Sequence, residues 1–246
     1  MEAASTQIRQ AIRAVEELRA EAAQSVELSR ALHDIKTLQA QRFAATYHDL
    51  LNSPAYSGCA RFFLTELYSE RDYKQRDRQF AKVAGAIAVA FPQPVIATTV
   101  DLARLHQITE TLDLAMARQW QRDQAPSQAI RYYRAWHALN CPQQRQWQLD
   151  TVLRIGRKLG ELTRRRSLRL LLKMMRHPAE LAGLSDLQTF LEDGFDRFRQ
   201  IAKADETLII FLDTIQQREA RWITAMDSMS EQEAEKLLNK SLQGTP

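Results

Sequence analysis

Turn-forming residues are scarce in this chain. Seven glycines and seven prolines serve 246 residues, and none of either precedes Pro54. A β-rich fold needs many tight turns, and tight turns draw on Gly, Pro, Asn and Asp. So few breakers point to long helices. The apolar pattern agrees: Ile8, Ile12, Val15, Leu18, Ala22 and Val26, then Leu32, Ile35 and Leu38, recur at spacings of three, four and seven. Arg, Glu, Gln and Lys fill the positions between, and all four favour helices.

Further along, the breaks are sparse but clear. Asn52-Ser53-Pro54, Phe91-Pro92-Gln93-Pro94, Ala125-Pro126-Ser127, Asn140-Cys141-Pro142 and His177-Pro178 each end a helical pattern. Helices are expected over about 57–68, 72–90, 95–120, 130–139 and from 142 through Leu162. The β-branched run Val95 to Val100 reads as helix, because it stays in phase with Leu102 and Leu105 and has no partner strand. Ser69 to Asp72, Ser185 to Gln188 and Ser230 to Glu233 have the form of capping boxes, Asp205 that of a further cap, and Gly183 that of a C′ glycine. Gly156 and Gly160, one turn apart, would let another helix approach closely. No repeat period and no Gly/Ser/Pro-rich linker occurs. The expectation is all-α: a single-domain bundle of about eight to ten helices without a sheet. Residues 1–50 form a long N-terminal helical region, 55–228 the bundle core, and 230–246 a short acidic C-terminal helix and tail.

Composition excludes more than it selects. Hydrophobic residues make up 45% and charged residues 26%, as in ordinary globular chains. A net charge of +4 permits an anionic partner without requiring one. Cys59 and Cys141 are far apart and in no metal-binding spacing, which fits buried thiols in a reducing compartment. The N-terminus lacks the basic and apolar regions of a signal peptide, and no apolar run is long enough to span a membrane. A cytoplasmic location is therefore expected.

Common catalytic signatures are missing. There is no Gly-x-x-x-x-Gly-Lys, Cys-x-x-Cys, His-Glu-x-x-His or Gly-x-Ser-x-Gly. The residues three before each histidine are Arg30, Ala45, Ala103, Arg134 and Met174, so no Glu-x-x-His pair exists for a di-iron bundle. No catalytic residue, metal ligand or cofactor is assigned on these grounds. A haem on one axial histidine would leave no signature.

Four features could still carry function. Residues 154–176 hold nine bases against one acid, which leaves the other 223 residues at −4. If the helix ran on, Lys158, Arg165, Arg169, Lys173 and Arg176 would share a face, with Arg164 and Arg166 beside them. Such a row could contact phosphates or another anionic partner. The plainer reading is a solvated face, partly paired with Asp186, Glu192, Asp193 and Asp196 or with the acidic C-terminal helix. His106, Glu110 and Asp113, at i, i+4 and i+7, form the second feature: a polar row beside an apolar stripe, open to acid–base or ligand chemistry or to plain solvation.

Glu66, Asp72, Arg76 and Asp77 are the third. Tyr73 and Phe80 set the apolar face there, so Arg76 or Asp77 must lie close to the core. A buried charge needs a partner, and a structural ion network locking the turn at 69–72 is expected. The fourth is a ligand cavity among Trp120, Trp136, Trp147, Tyr132 and Tyr133, against the ordinary reading of an aromatic core.

Two segments carry a resemblance. One is Arg61-Phe62-Phe63-Leu64-Thr65-Glu66-Leu67-Tyr68 with Asp72 and Arg76-Asp77. The other is Met175-Arg176-His177-Pro178-Ala179, then Ala182-Gly183-Leu184 and Leu187-Gln188-Thr189-Phe190-Leu191-Glu192-Asp193-Gly194-Phe195. With Leu105 to Asp113, they resemble a family of uncharacterised helical proteobacterial proteins over about 55–220. The resemblance implies a bacterial cytosolic source and no particular chemistry. It places Arg76, Asp77 and Gly194-Phe195 in the recurrent pattern.

Taken together, the residues favour a non-catalytic interaction or regulatory protein, with a protein partner or self-association through the N-terminal helical region. The alternatives are a binding protein for a small hydrophobic or haem-like ligand in the core, and nucleic-acid or anionic-surface binding through 154–176.

Overall fold

A computed structural model describes residues 2–66 and 73–243, among which there are thirteen helices and no strand. They are α1 (Glu2–Ala22), α2 (Val26–Thr46), α3 (His48–Asn52), α4 (Ser57–Glu66), α5 (Lys74–Ala90), α6 (Gln93–Trp120), α7 (Gln128–Leu139), α8 (Pro142–Thr163), α9 (Arg166–Met174), α10 (Arg176–Leu181), α11 (Ser185–Ile201), α12 (Asp205–Ser228) and α13 (Glu231–Gln243). Among the described residues, no helix is long and apolar enough to cross a membrane.

The all-α class holds, but the helices outnumber the eight to ten expected, because several breaks involve neither Gly nor Pro. The N-terminal region divides at Ser25, whose hydroxyl accepts the backbone N–H of Leu28 at 3.1 Å and caps α2. The apolar phase changes there, so Val26, assigned to the N-terminal stripe, is 75% exposed. Tyr47 separates α2 from α3. Arg165 turns extended between α8 and α9, and Met175 ends α9 before α10. Pro178 sits inside α10, so the break comes earlier than His177-Pro178 suggests.

Some caps behave as read and others do not. Gly183 adopts φ +68°, and Ser230 and Glu233 exchange the bonds of a capping box. Leu184 and Ala204, not Ser185 and Asp205, occupy the N-caps of α11 and α12, without side-chain bonds. Gln188 bonds instead to the Leu172 carbonyl and to Glu192. The Ser69–Asp72 motif lies outside the described residues.

Helix α6 is central and packs against α1, α2, α7 and α8. Its β-branched start is helical, and the Thr98 and Thr99 hydroxyls bond back to the carbonyls of Pro94 and Val95. Against α12, α8 presents Gly156 and Gly160. A Cβ on Gly156 would stand 2.6 Å from Leu212, and one on Gly160 would overlap Leu208. The two small residues are what let these helices close together, as the spacing predicted.

The two segments that carry the resemblance meet in space. The Phe62 ring stacks on Phe190 at 5.6 Å, and a Cβ on Gly194 would stand 3.0 Å from that ring. Arg76 lies over Phe190 at 4.5 Å and bonds Glu66 at 3.1 Å.

Three large apolar clusters form the core. One joins α2, α6 and α7, centred on Ile35, Met116 and Trp120; a second joins α4, α8, α11 and α12 around Phe63, Phe198 and Phe211; a third joins α1, α5 and α6 around Ile12, Ala84 and Ala103. They do not fuse into one mass. Members of all three, including Trp136, Phe63 and Phe80, line a shared cavity of about 180 Å³.

Candidate functional site: a charged cavity where the clusters meet

The chain places few charges out of solvent, as expected from the cost of desolvating them. Among the described residues, five charged side chains are buried: Arg42, Asp77, Glu110, Asp113 and Arg145. All five line the one cavity.

Each comes from its own helix's apolar stripe. Asp77 precedes Phe80, Ala84 and Ile87 at spacings of three and four; Arg42 follows Leu28, Ala31, Ile35 and Leu38 in the same rhythm. Glu110 and Asp113 interrupt the row Ala103, Leu114–Ala117 and Trp120 of α6. Arg145 stands one turn before Leu149 and two before Leu153. A position facing the core must bury whatever it carries. That was the missed signal for Arg42 and Arg145, which as single residues look like ordinary helix surface.

The second and third sequence features prove to be one site. Asp77 on α5 accepts from Arg19 Nη1 of α1 at 2.7 Å, and His106 Nε2 of α6 lies 3.0 Å from the same oxygen. Burial alone would raise the Asp77 carboxyl, but the bonds to His106 and Arg19 outweigh it and hold it below the usual range. The ionised carboxylate is acceptor-only and is shared between the two helices. Arg76 reaches Asp77 only at 3.9 Å. It pairs with Glu66 and lies over the Tyr73 ring at 4.0 Å, and burial lowers its pKa. The network thus ties α5 to α1, α4 and α6, beyond the local turn expected from sequence. Asp72 lies outside the described residues.

One turn along α6, Glu110 accepts from Lys36 Nζ of α2 at 2.7 Å, with Arg19 at 3.8 Å. Burial raises its carboxyl, and Lys36 overcomes that and leaves it low. Lys36 and Glu110 also border an outer cleft formed with Ala22, Ser29 and His33, so this pair stands between the cavity and the surface. Asp113, next along the helix, is different. Burial raises its carboxyl, and Lys36 only partly offsets the effect. Gln39 donates to it at 3.0 Å.

On the remaining walls, Arg42 pairs with Glu219 of α12 at 2.6 Å, and the Tyr47 hydroxyl donates to the same oxygen at 2.7 Å. Burial raises the Tyr132 phenol. Arg145 lies over the Trp136 ring at 4.4 Å. Of the aromatic residues proposed for a cavity, Tyr132 and Trp136 line it. Trp120 is buried in the first cluster beneath Arg131, Tyr133 bonds the Met229 carbonyl, and Trp147 is half-buried elsewhere on α8. Burial likewise pushes the Cys59 thiol up. Among the described residues, no group of three or more His, Cys, Asp or Glu is disposed to hold a metal.

The basic segment is not one row. The break at Arg164 and Arg165 puts Lys158 on α8, Arg169 and Lys173 on α9, and Arg176 on α10. Lys158 pairs with Glu161, Arg164 with Asp205, Arg169 with Asp196, Arg176 with Glu192 and Arg154 with Asp101. Arg157, Arg165, Arg166 and Lys173 are exposed and make no ion pair among the described residues.

A family model described as Domain of unknown function (DUF8198) matches residues 18–233. The chain belongs to that family. The DUF8198 span contains every residue lining the cavity except Ile12, and both segments that carried the resemblance. No curated protein and no solved structure matches the chain.

Proposed function

We propose that this DUF8198 chain is a binding protein for a small molecule held in the core cavity. One observation supports the reading above the others: all five buried charges among the described residues face that space. Burying charge around a void opposes folding, since apolar side chains filling it would be more stable. A cavity lined by buried charges is the arrangement expected of a ligand site. Its 180 Å³ suits a ligand close to benzene in size, which fills an engineered cavity of about 150 Å³. That is far smaller than a haem, and the lining is more polar than a purely hydrophobic ligand requires. The interaction reading draws on the helical surfaces and carries no comparable internal feature.

The test compares native with denatured mass spectra of untagged protein, beside a Val152→Phe variant. Val152 lines the cavity, and the larger side chain would fill part of it. A small mass lost on denaturation, and absent from the variant, supports the reading. Binding of small probes equal in wild type and variant would overturn it.

A second reading rests on the exposed, unpaired Arg165, Arg166 and Lys173 of α9 and its N-cap. Leu170 is 60% and Met174 67% exposed on the same short helix. Basic and apolar groups together suit an anionic surface. Salt-sensitive retention on such a surface, lost on Arg165→Glu/Arg166→Glu, would support it.

A further inference from the structure

Arg145 is the cavity's unmatched charge. Its residue is 9% exposed, and its Nε is buried with no hydrogen-bond partner. Nη2 reaches the Met116 sulfur at 3.0 Å, a weak acceptor, and Nη1 reaches Gln148 Oε1 only at 3.5 Å. No carboxylate among the described residues pairs with it.

The neighbouring cations are all matched. Lys36 has Glu110, Arg42 has Glu219, Arg76 has Glu66 and Arg19 has Asp77. Asp113 faces the same space and its charge is felt at Arg145, but it makes no ion pair with the guanidinium, and burial raises its carboxyl. Among the described residues, Arg145 is thus the one lining cation with no bonded carboxylate. An isolated buried guanidinium is expensive and cannot lose its proton to escape the expense.

We propose that the ligand of this cavity is a small organic monocarboxylate whose carboxylate pairs with the Arg145 guanidinium. The inference rests on the cavity being a ligand site. Charge favours a carboxylate over a phosphate, because one unmatched cation balances a monoanion. Geometry agrees: a planar guanidinium offers two parallel N–H donors that fit a carboxylate, and the Trp136 ring against its face orients that plane. The rest of the ligand has apolar surface to meet, since Leu149, Val152, Ile215 and Trp222 line the same space. The volume restricts it to a small ring or short chain, somewhat larger than the benzene that fills a cavity of about 150 Å³.

The experiment is calorimetric titration of the full chain with benzoate, phenylacetate and hexanoate, each beside its own primary amide. Wild type, Arg145→Met and Val152→Phe are compared, with folding checked by circular dichroism. At least one carboxylate is expected to bind wild type more tightly than its amide. Arg145→Met should weaken that carboxylate about 10- to 100-fold and leave the amide little changed, as loss of a charge-assisted bond requires. Arg145→Lys, if Arg145→Met fails to fold, should weaken it too by removing the planar fork. Amide binding that equals carboxylate binding, and that Val152→Phe abolishes, would overturn the carboxylate assignment and leave the cavity reading standing. Absence of binding by every probe would overturn both.

Discussion

Replacing Asp77 with alanine removes the acceptor for two helices at once. Arg19 would lose a 2.7 Å bond and His106 a 3.0 Å one, and Glu110, 3.8 Å from Arg19, replaces neither in full. Taking one partner from a buried ion pair costs about 3–5 kcal/mol. Here Arg19 and His106 keep 14% and 20% exposure, so water recovers part of that, and the net loss is about 2–4 kcal/mol. In a chain of this length each kcal/mol moves Tm by about 2–4 °C, so the variant should melt roughly 4–16 °C lower. Urea unfolding at constant m measures it, and a double-mutant cycle with Arg19→Met should return a coupling of at least about 0.5 kcal/mol. The pH dependence has a definite sign. The folded Asp77 carboxyl is held below the ordinary 3.8, so its contribution is complete above that pH and disappears as pH falls through the folded value. The variant's deficit should therefore shrink only in strong acid. A loss under about 1 kcal/mol at neutral pH, or additive single variants, would refute the network as the tie between α1, α5 and α6.

Asp113→Asn should act in the opposite sense. Its folded carboxyl is raised, so wild type carries a penalty that is absent below about pH 3.8 and grows as pH rises through the folded value. Asn can still accept from Gln39, and urea midpoints at several pH values should show the variant gaining on wild type toward neutrality. Arg145→Met should match or exceed wild type in stability without ligand, because it removes an unpaired buried charge, and thermal melts check this. Gly156→Ala gains about 1 kcal/mol of helix propensity but drives a methyl into Leu212, an overpacking cost of about 1–3 kcal/mol. A net loss in urea unfolding is expected, and a clear stabilisation would contradict the close α8–α12 contact.

The helical architecture was legible because it depends on local rules. Missing Gly and Pro, and apolar positions three and four apart, placed α5, α6, α7 and α8 within a few residues. Boundaries failed where tertiary context ends a helix without a breaker, as at Arg165 and Tyr47. That failure turned the basic segment into a false continuous row. At the site, His106, Glu110 and Asp113 were visible as one row, and Asp77 as a charge near an apolar face. Arg19, Lys36, Arg42, Arg145 and Glu219 were not, because they meet those residues only through packing between helices distant in the chain. Arg145 lies in the polar run Gln143-Gln144-Arg145-Gln146, which reads locally as solvent-facing. Only its phase with Leu149 and Leu153 says otherwise.

The Arg145 side chain itself offers the most direct test of the ligand account. Its Nε–H can be followed by nitrogen-resolved NMR of arginine-labelled protein, with the Arg145→Met spectrum giving the assignment. One protected Nε–H is expected, which shifts on titration with a carboxylate probe and stays put with the matching amide. An Nε–H that exchanges as fast as those of exposed arginines, or one that no probe in the set moves, would contradict it.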